Sequence, residues 1–164
     1  MKNVKFLLSA ALVFLASAAL AQDFSAPQYA KWGATPEERE QNILNSNFLK
    51  ESCDNRDYDA AAHYLKGLID KIPDAAESIY QRGAVVYKNK INRAKSVAEK
   101  NMFIDSLMLM YDMRAQYFGD NVKPGKTAFI LDQKAREFLR YKPNDRKGIR
   151  EAFRAAIAQG GDST

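Results

Sequence analysis

Four short stretches of the sequence carry residue types that could do chemistry. Pro124-Gly125-Lys126-Thr127 looks like the end of a phosphate-binding loop, in which a glycine-rich backbone and a lysine cradle phosphates between a strand and a helix. The spacing fails, because the first glycine of that pattern would stand where Asp120 does and Gly119 comes one residue too early. What is left is a capped turn whose amides, with Lys123 and Lys126, could attract an anion at a helix start. Asp54, Asp57 and Asp59 offer several oxygens on a short loop, as calcium requires, but the central glycine and closing glutamate are missing. They read as a turn followed by a helix cap. His63 is the single histidine and Cys53 the single cysteine. Neither has a second histidine or cysteine at ligand spacing, which excludes a Cys-rich zinc site, an internal disulfide framework and most triad chemistry. His63 is expected on a surface or groove and Cys53 as a buried free thiol. The sequence predicts no catalytic residue, no metal site and no cofactor.

The elements that would hold these residues are helices. The chain has 164 residues, 46% hydrophobic and 27% charged, which suits one globular domain and rules out a collagenous or wholly disordered chain. Lys2 and Lys5, the apolar run from Phe6 to Leu20, and Ala19-Leu20-Ala21 before Gln22 read as a cleavable secretory leader. The run is shorter than the roughly twenty residues that span a bilayer. The expected layout is a signal peptide over 1–21, an extended lead-in over 22–34, a helical domain over 35–160 and a flexible tail over 161–164. Export implies a periplasmic or envelope location, with no transmembrane segment in the mature chain and no nucleic acid as partner. Loss of the two leader lysines lowers the formal charge from +5 to +3, and the remaining basic excess falls in the last third of the chain.

Thr35-Pro36-Glu37-Glu38 combines an N-cap, a proline at the first helical position and a capping-box glutamate, and predicts a first helix to about Cys53 with Ile43, Leu44, Phe48 and Leu49 inward. A second helix from Asp57 carries the stripe Tyr58, Ala61, Leu65, Leu68, Ile69 and Ile72 and ends at Pro73. Asp74 is placed as the cap of a third helix with Ile79, Tyr80, Gly83, Val86, Tyr87 and Ile91 on one side, Gly83 permitting close approach of a neighbour. Ser96 and Glu99 open a fourth helix, stopped by Gly119 and expected to be the most amphipathic. A fifth runs from Thr127 to about Tyr141 with Phe129, Ile130, Phe138 and Leu139 inward. A sixth, capped by Asn144 or Asp145, carries Ile149, Ala152, Phe153, Ala156 and Ile157. No stretch reads as a strand.

Six helices on short turns pair into three antiparallel hairpins. The segment Tyr58-Asp59-Ala60-Ala61-Ala62-His63-Tyr64-Leu65-Lys66-Gly67-Leu68-Ile69-Asp70-Lys71-Ile72-Pro73 resembles the second helix of a tetratricopeptide repeat, with a small residue at Ala61, bulky residues at Leu65 and Leu68, and a closing proline. Asp74 to Gly119 is longer than the usual repeat of about 34 residues, so the repeat is divergent. Trp32-Gly33-Ala34-Thr35-Pro36-Glu37-Glu38, Phe103-Ile104-Asp105-Ser106-Leu107-Met108, Tyr111-Asp112-Met113-Arg114 and Tyr117-Phe118-Gly119-Asp120 are similar to the exported tetratricopeptide-type proteins of Bacteroidetes. The resemblance implies a right-handed all-α solenoid and an envelope location more than an activity, and stacked hairpins of this kind suit a non-catalytic scaffold for protein or peptide partners. Its concave surface, lined by the first helix of each pair, makes Asn45, Tyr80, Tyr87 and Asn89 the candidate partner-binding residues. Arg150 and Arg154 on helix six are candidates for an anionic partner, and self-association through that helix is a further candidate. Two other readings stay open: a structural subunit of an envelope assembly, and a small-ligand carrier using the Met and Tyr cluster of helix four.

Overall fold

The computed structural model describes residues 22–160, so the leader at 1–21 and the tail at 161–164 lie outside the described residues. Within them the chain is all-helical, with a short 3-10 turn at Pro27–Trp32 followed by α1 (Pro36–Asp54), α2 (Tyr58–Lys71), α3 (Glu77–Arg93), α4 (Val97–Phe118), α5 (Lys126–Tyr141) and α6 (Arg146–Gly160). Local chemistry sets most of these limits. Thr35 accepts the Glu38 amide at 3.2 Å while the Glu38 carboxylate takes the amides of Ala34 and Thr35, a complete capping box behind Pro36. Asp57 caps α2 by accepting from Ala60 at 3.1 Å. Ser96 accepts from Glu99 at 3.1 Å, and the Glu99 carboxylate reaches the amide of Lys95 at 2.7 Å. Asp145 caps α6 through the Gly148 amide at 2.9 Å.

The third helix starts later than the sequence suggests. Its N-cap is Ala76, without a side-chain bond, and Asp74 is left in the preceding turn. Ala75 is buried and its amide bonds the Ile72 carbonyl, so residues 72–76 fold as a turn that points Ala75 inward before the helix begins. The lead-in is likewise not extended throughout. Its 3-10 turn is tied to α1 by Arg39, which donates to the carbonyls of Gly33 at 2.9 Å and Phe24 at 3.1 Å, and by Asn42, which donates to the Trp32 carbonyl at 2.7 Å. Trp32 packs on the core, whereas Tyr29 packs on Phe24.

Consecutive helices pair as α1 with α2, α3 with α4 and α5 with α6. Between pairs, α3 lies against both α1 and α2, but α5 approaches only α4 at backbone distance, and α6 touches α5 alone. Two apolar clusters follow from this. One joins α1, α2 and the first half of α3 to Met110 and Phe118 of α4; the other joins the end of α3 to α4 and Ile130 of α5. They meet at Tyr87, which packs on both, and within the first cluster an added Cβ on Gly83 would stand 2.7 Å from the Met110 sulfur and 3.2 Å from Leu65 Cδ1. Glycine is needed there because three helices converge on its backbone.

The α2 and α3 stripes pack as expected: Tyr58, Ala61, Leu65, Leu68 and Ile72 are buried, as are Ile79, Tyr80, Gly83, Val86 and Ile91. The four other stripes differ. On α1 only Leu49 of the four expected residues is buried, and Asn42 takes an inner place because the lead-in satisfies its amide. Helix α4 is not the most amphipathic. Seven buried residues cover a wide arc between neighbours on several sides, and Met102 and Leu109 add exposed apolar groups on the remaining face. On α5, Ile130 is buried but Phe129 and Leu139 are exposed, and on α6 only Ala156 is buried, because a single neighbour covers that helix.

Candidate functional site

The local chemistry that could tempt an enzymatic reading is accounted for by the chain's own side chains. Gly125 takes a left-handed conformation (φ 77°) just before α5, and the Thr127 amide at the helix start donates to Asp120 at 2.9 Å, while Thr127 Oγ1 accepts the Asp120 amide at 2.9 Å. Lys126 donates to Glu77 at 2.7 Å. The turn is capped as expected, and two internal carboxylates, Asp120 and Glu77, occupy the amide and the lysine that could have attracted an anion. Asp54 pairs with Lys50 at 2.7 Å, Asp59 pairs with Lys90, and Asp57 caps α2, so the three acids serve three different partners. Among the described residues no three metal-ligating side chains converge. His63 is exposed beside Tyr64. Cys53 is partly buried against the first cluster, and burial pushes its thiol up, away from the reactive thiolate.

A constellation of polar and apolar groups drawn from three helices lies where α3 faces α5 across α4. A groove of about 280 Å³ runs there, with Gln81, Ala84, Val85 and Lys88 from α3 on one side, Gln133 of α5 on the other, and Met110, Tyr111 and Arg114 of α4 as its floor. Glu77, Gln81, Val85 and Lys88 recur at helical spacing, which sets them along one edge of α3. Ion pairs hold both ends. At one end Arg114 donates from Nε to Glu77 Oε1 at 2.9 Å and from Nη1 to Gln133 Oε1 at 2.9 Å, and Lys126 completes the cluster on Glu77 Oε2. At the other, Lys88 Nζ lies 2.5 Å from Glu137 Oε1, and Arg140 stands 3.6 Å from Glu137 Oε2. These contacts bridge α3 to α5 where their backbones stay apart.

Ionisation in the groove moves away from neutral pH. Burial lifts the hydroxyls of Tyr80 and Tyr111, keeping both protonated. Burial alone would lower Lys88, but its hydrogen bond to Glu137 and the surrounding charges raise it, so the ammonium persists. Burial alone would raise Glu77, yet hydrogen bonds from Lys126 and Arg114 more than offset it and hold the carboxylate below its ordinary range. The arrangement offers fixed charges, amide donors and acceptors at Gln81 and Gln133, and an apolar contact at Val85.

No protein-family model matches the chain, and neither a curated protein nor a solved structure matches it.

The residues expected on a common partner-binding surface are not brought together. Tyr80 is buried: its hydroxyl donates to the Pro73 carbonyl at 2.6 Å and its ring stacks on Tyr117 with centroids 6.3 Å apart. The polar tip that made it look accessible is used internally. Tyr87 is half-buried between the two apolar clusters. Asn89 donates to the Val85 carbonyl of its own helix at 2.9 Å. Asn45 lies on the far side of the first hairpin, in a depression shared with His63, Tyr64 and Asp70. Arg150 and Arg154 are exposed on α6, away from the groove. Of the candidates Tyr80 alone lines the groove, at its buried base, while the exposed groove residues Gln81 and Val85 and the polar Lys88, Arg114 and Gln133 are not among those the sequence points to. The usable signal was the stripe Glu77, Gln81, Val85 and Lys88 running beside the apolar side of α3.

Proposed function

We propose that the chain is a divergent tetratricopeptide-like helical-repeat protein of the cell envelope that acts as a non-catalytic scaffold and receives an extended peptide in the α3–α5 groove. The observation that carries this reading is the groove itself: glutamine amides, one exposed valine and ion-paired walls set on the first helices of two successive hairpins. Extended peptides are recognised by side-chain amides that meet backbone groups and by shallow apolar seats for alternate side chains. The contact of α3 with both helices of the first hairpin, and the buried Ala61 of α2, support a stack of repeats. The approach of α5 to α4 alone makes the last repeat the divergent one. Envelope location rests on the leader sequence. A small-ligand carrier built on the Met and Tyr cluster of α4 is less supported, because Met108, Met110 and Tyr111 are buried in the helix packing.

The test is selection of peptides from a displayed random library on the purified protein, followed by affinity measurement. Peptides that bind the wild type are expected to lose at least about tenfold in affinity for Val85→Arg, which fills the groove with a charged side chain. They are expected to bind Leu109→Arg, whose side chain lines a separate depression between α4, α5 and α6, unchanged. Selected peptides that bind both variants alike would place recognition elsewhere, and failure to select any peptide would count against a peptide-receiving groove.

A further inference from the structure

The two ends of the helical array carry opposite charge around exposed apolar side chains, and we infer that they are the two halves of a head-to-tail interface between copies of this chain. At the first end, α1 presents Glu37, Glu40, Leu44, Phe48 and Glu51 at i, i+3, i+7, i+11 and i+14, one face of a helix, and all five are exposed. Leu44 is 41% exposed and Phe48, whose ring leans on Tyr64 of α2, is 40% exposed. The lead-in does not cover this face, since its anchors Arg39 and Asn42 project from a different side of α1. At the last end, α6 presents Arg146, Arg150, Phe153, Arg154 and Ile157 at i, i+4, i+7, i+8 and i+11. Ile157 is 73% exposed, and Phe129 of the neighbouring α5 is 56% exposed.

The charges of the two faces are of opposite sign and are left free for a partner, whereas other exposed charges such as Lys50 with Asp54, Lys66 with Asp70 and Arg136 with Asp132 pair within one helix. Among the described residues Glu37, Glu40 and Glu51 form no ion pair, and neither do Arg146, Arg150 and Arg154. Three unpaired carboxylates flank an apolar centre at one end, and three unpaired guanidinium groups flank an apolar centre at the other. Charge complementarity around an apolar seat selects a partner and fixes its register. Helix α1 packs within the first two hairpins and α6 against α5 alone, so the two faces lie at opposite ends of the contact order and cannot meet within one molecule. A second copy supplies the complement at each end. Docking α1 of one copy on the α5–α6 end of the next buries the apolar residues and continues the hairpin stack across the junction. Such an interface is heterologous, so it propagates into a ring or a filament rather than closing as a two-fold dimer. The inference does not depend on the α3–α5 groove, and the two are tested separately.

The experiment is sedimentation velocity on the full gene product as the expressing cell processes it. The mean mass is expected to rise with protein concentration at about 0.1 M salt and to fall toward the monomer at about 1 M, where the screening length shrinks to about 3 Å. The triple variant Glu37→Lys, Glu40→Lys, Glu51→Lys and the double variant Arg150→Glu, Arg154→Glu are each expected to associate at least about tenfold more weakly, with helicity by circular dichroism unchanged. An equimolar mixture of the two is expected to regain species of at least twice the monomer mass, because each intact face then finds its complement. A wild type that sediments as a monomer at every concentration would overturn the inference, as would a variant that still associates like the wild type, or a mixture that fails to recover.

Discussion

Leu65→Ala is expected to destabilise the protein by about 3 kcal/mol, within the range of roughly 2–5 kcal/mol for truncating a fully buried leucine. Leu65 has no exposed surface and stands where α2 meets α3 and α4, its Cδ1 facing Gly83 and, beyond it, Met110. Gly83 has no side chain to move into the vacated space, and although the flexible Met110 can relax toward it, part of the cavity persists. For a domain of this size the loss corresponds to a fall in Tm of about 10 °C. Leu109→Ala on the exposed face of α4 is expected to change stability by less than about 0.5 kcal/mol. Thermal or urea unfolding of the two variants beside the wild type checks the pair. Equal midpoints for both would mean that the three helices do not converge at this point.

The second large effect belongs to Glu77. Its carboxylate holds Arg114 of α4 and Lys126 of α5, whose side chains are mostly buried, so it ties the first turn of α3 to two other helices. Glu77→Ala leaves those donors without their acceptor and is expected to cost about 1–3 kcal/mol. The interaction also titrates. The folded-state pKa lies below the ordinary value of 4.5, so the contribution is fully present above pH 4.5 and is lost as pH falls through the lower folded value. Glu77→Gln cannot ionise. The stability gap between wild type and Glu77→Gln is therefore expected to stay constant from pH 7 to about 5 and to shrink below 4.5. A gap that persists undiminished to pH 3 would show that the carboxylate charge is not what joins these helices.

Helix limits were readable where a bond of a few residues' span decides them. Thr35 with Glu38, Asp57, Ser96, Pro73, Gly119 and Asp145 all mark ends by capping or by excluding the next turn, and that chemistry needs no knowledge of the rest of the fold. The start of α3 was misplaced because Ala75, a buried residue in a turn, carries no local signature. Periodicity located the apolar sides of α2 and α3, each packed on both flanks. It failed on α1, where Asn42 is buried only because a carbonyl ten residues earlier accepts its amide. It failed also on α4 and α6, one contacted on several sides and the other on one.

The candidate groove was less legible for the same reason. Gln81 and Lys88 gain meaning from Gln133 and Glu137, which approach through the packing of α5 on α4, a relation that no spacing along the chain records. Tyr80 shows the converse: an amphipathic side chain suits a binding surface by type, but its hydroxyl is already bonded to Pro73.

The central claim, that the α3–α5 groove receives a protein segment, is tested most directly by a photoreactive residue placed at Val85 in the protein as it stands in the cell envelope, with the same residue at Leu109 as the comparison. The account predicts one or a few discrete protein adducts from Val85, absent from Leu109, whose peptide partner maps to a single extended segment. Adducts that form equally from both positions, or none from Val85 under conditions where Leu109 reacts, would contradict it.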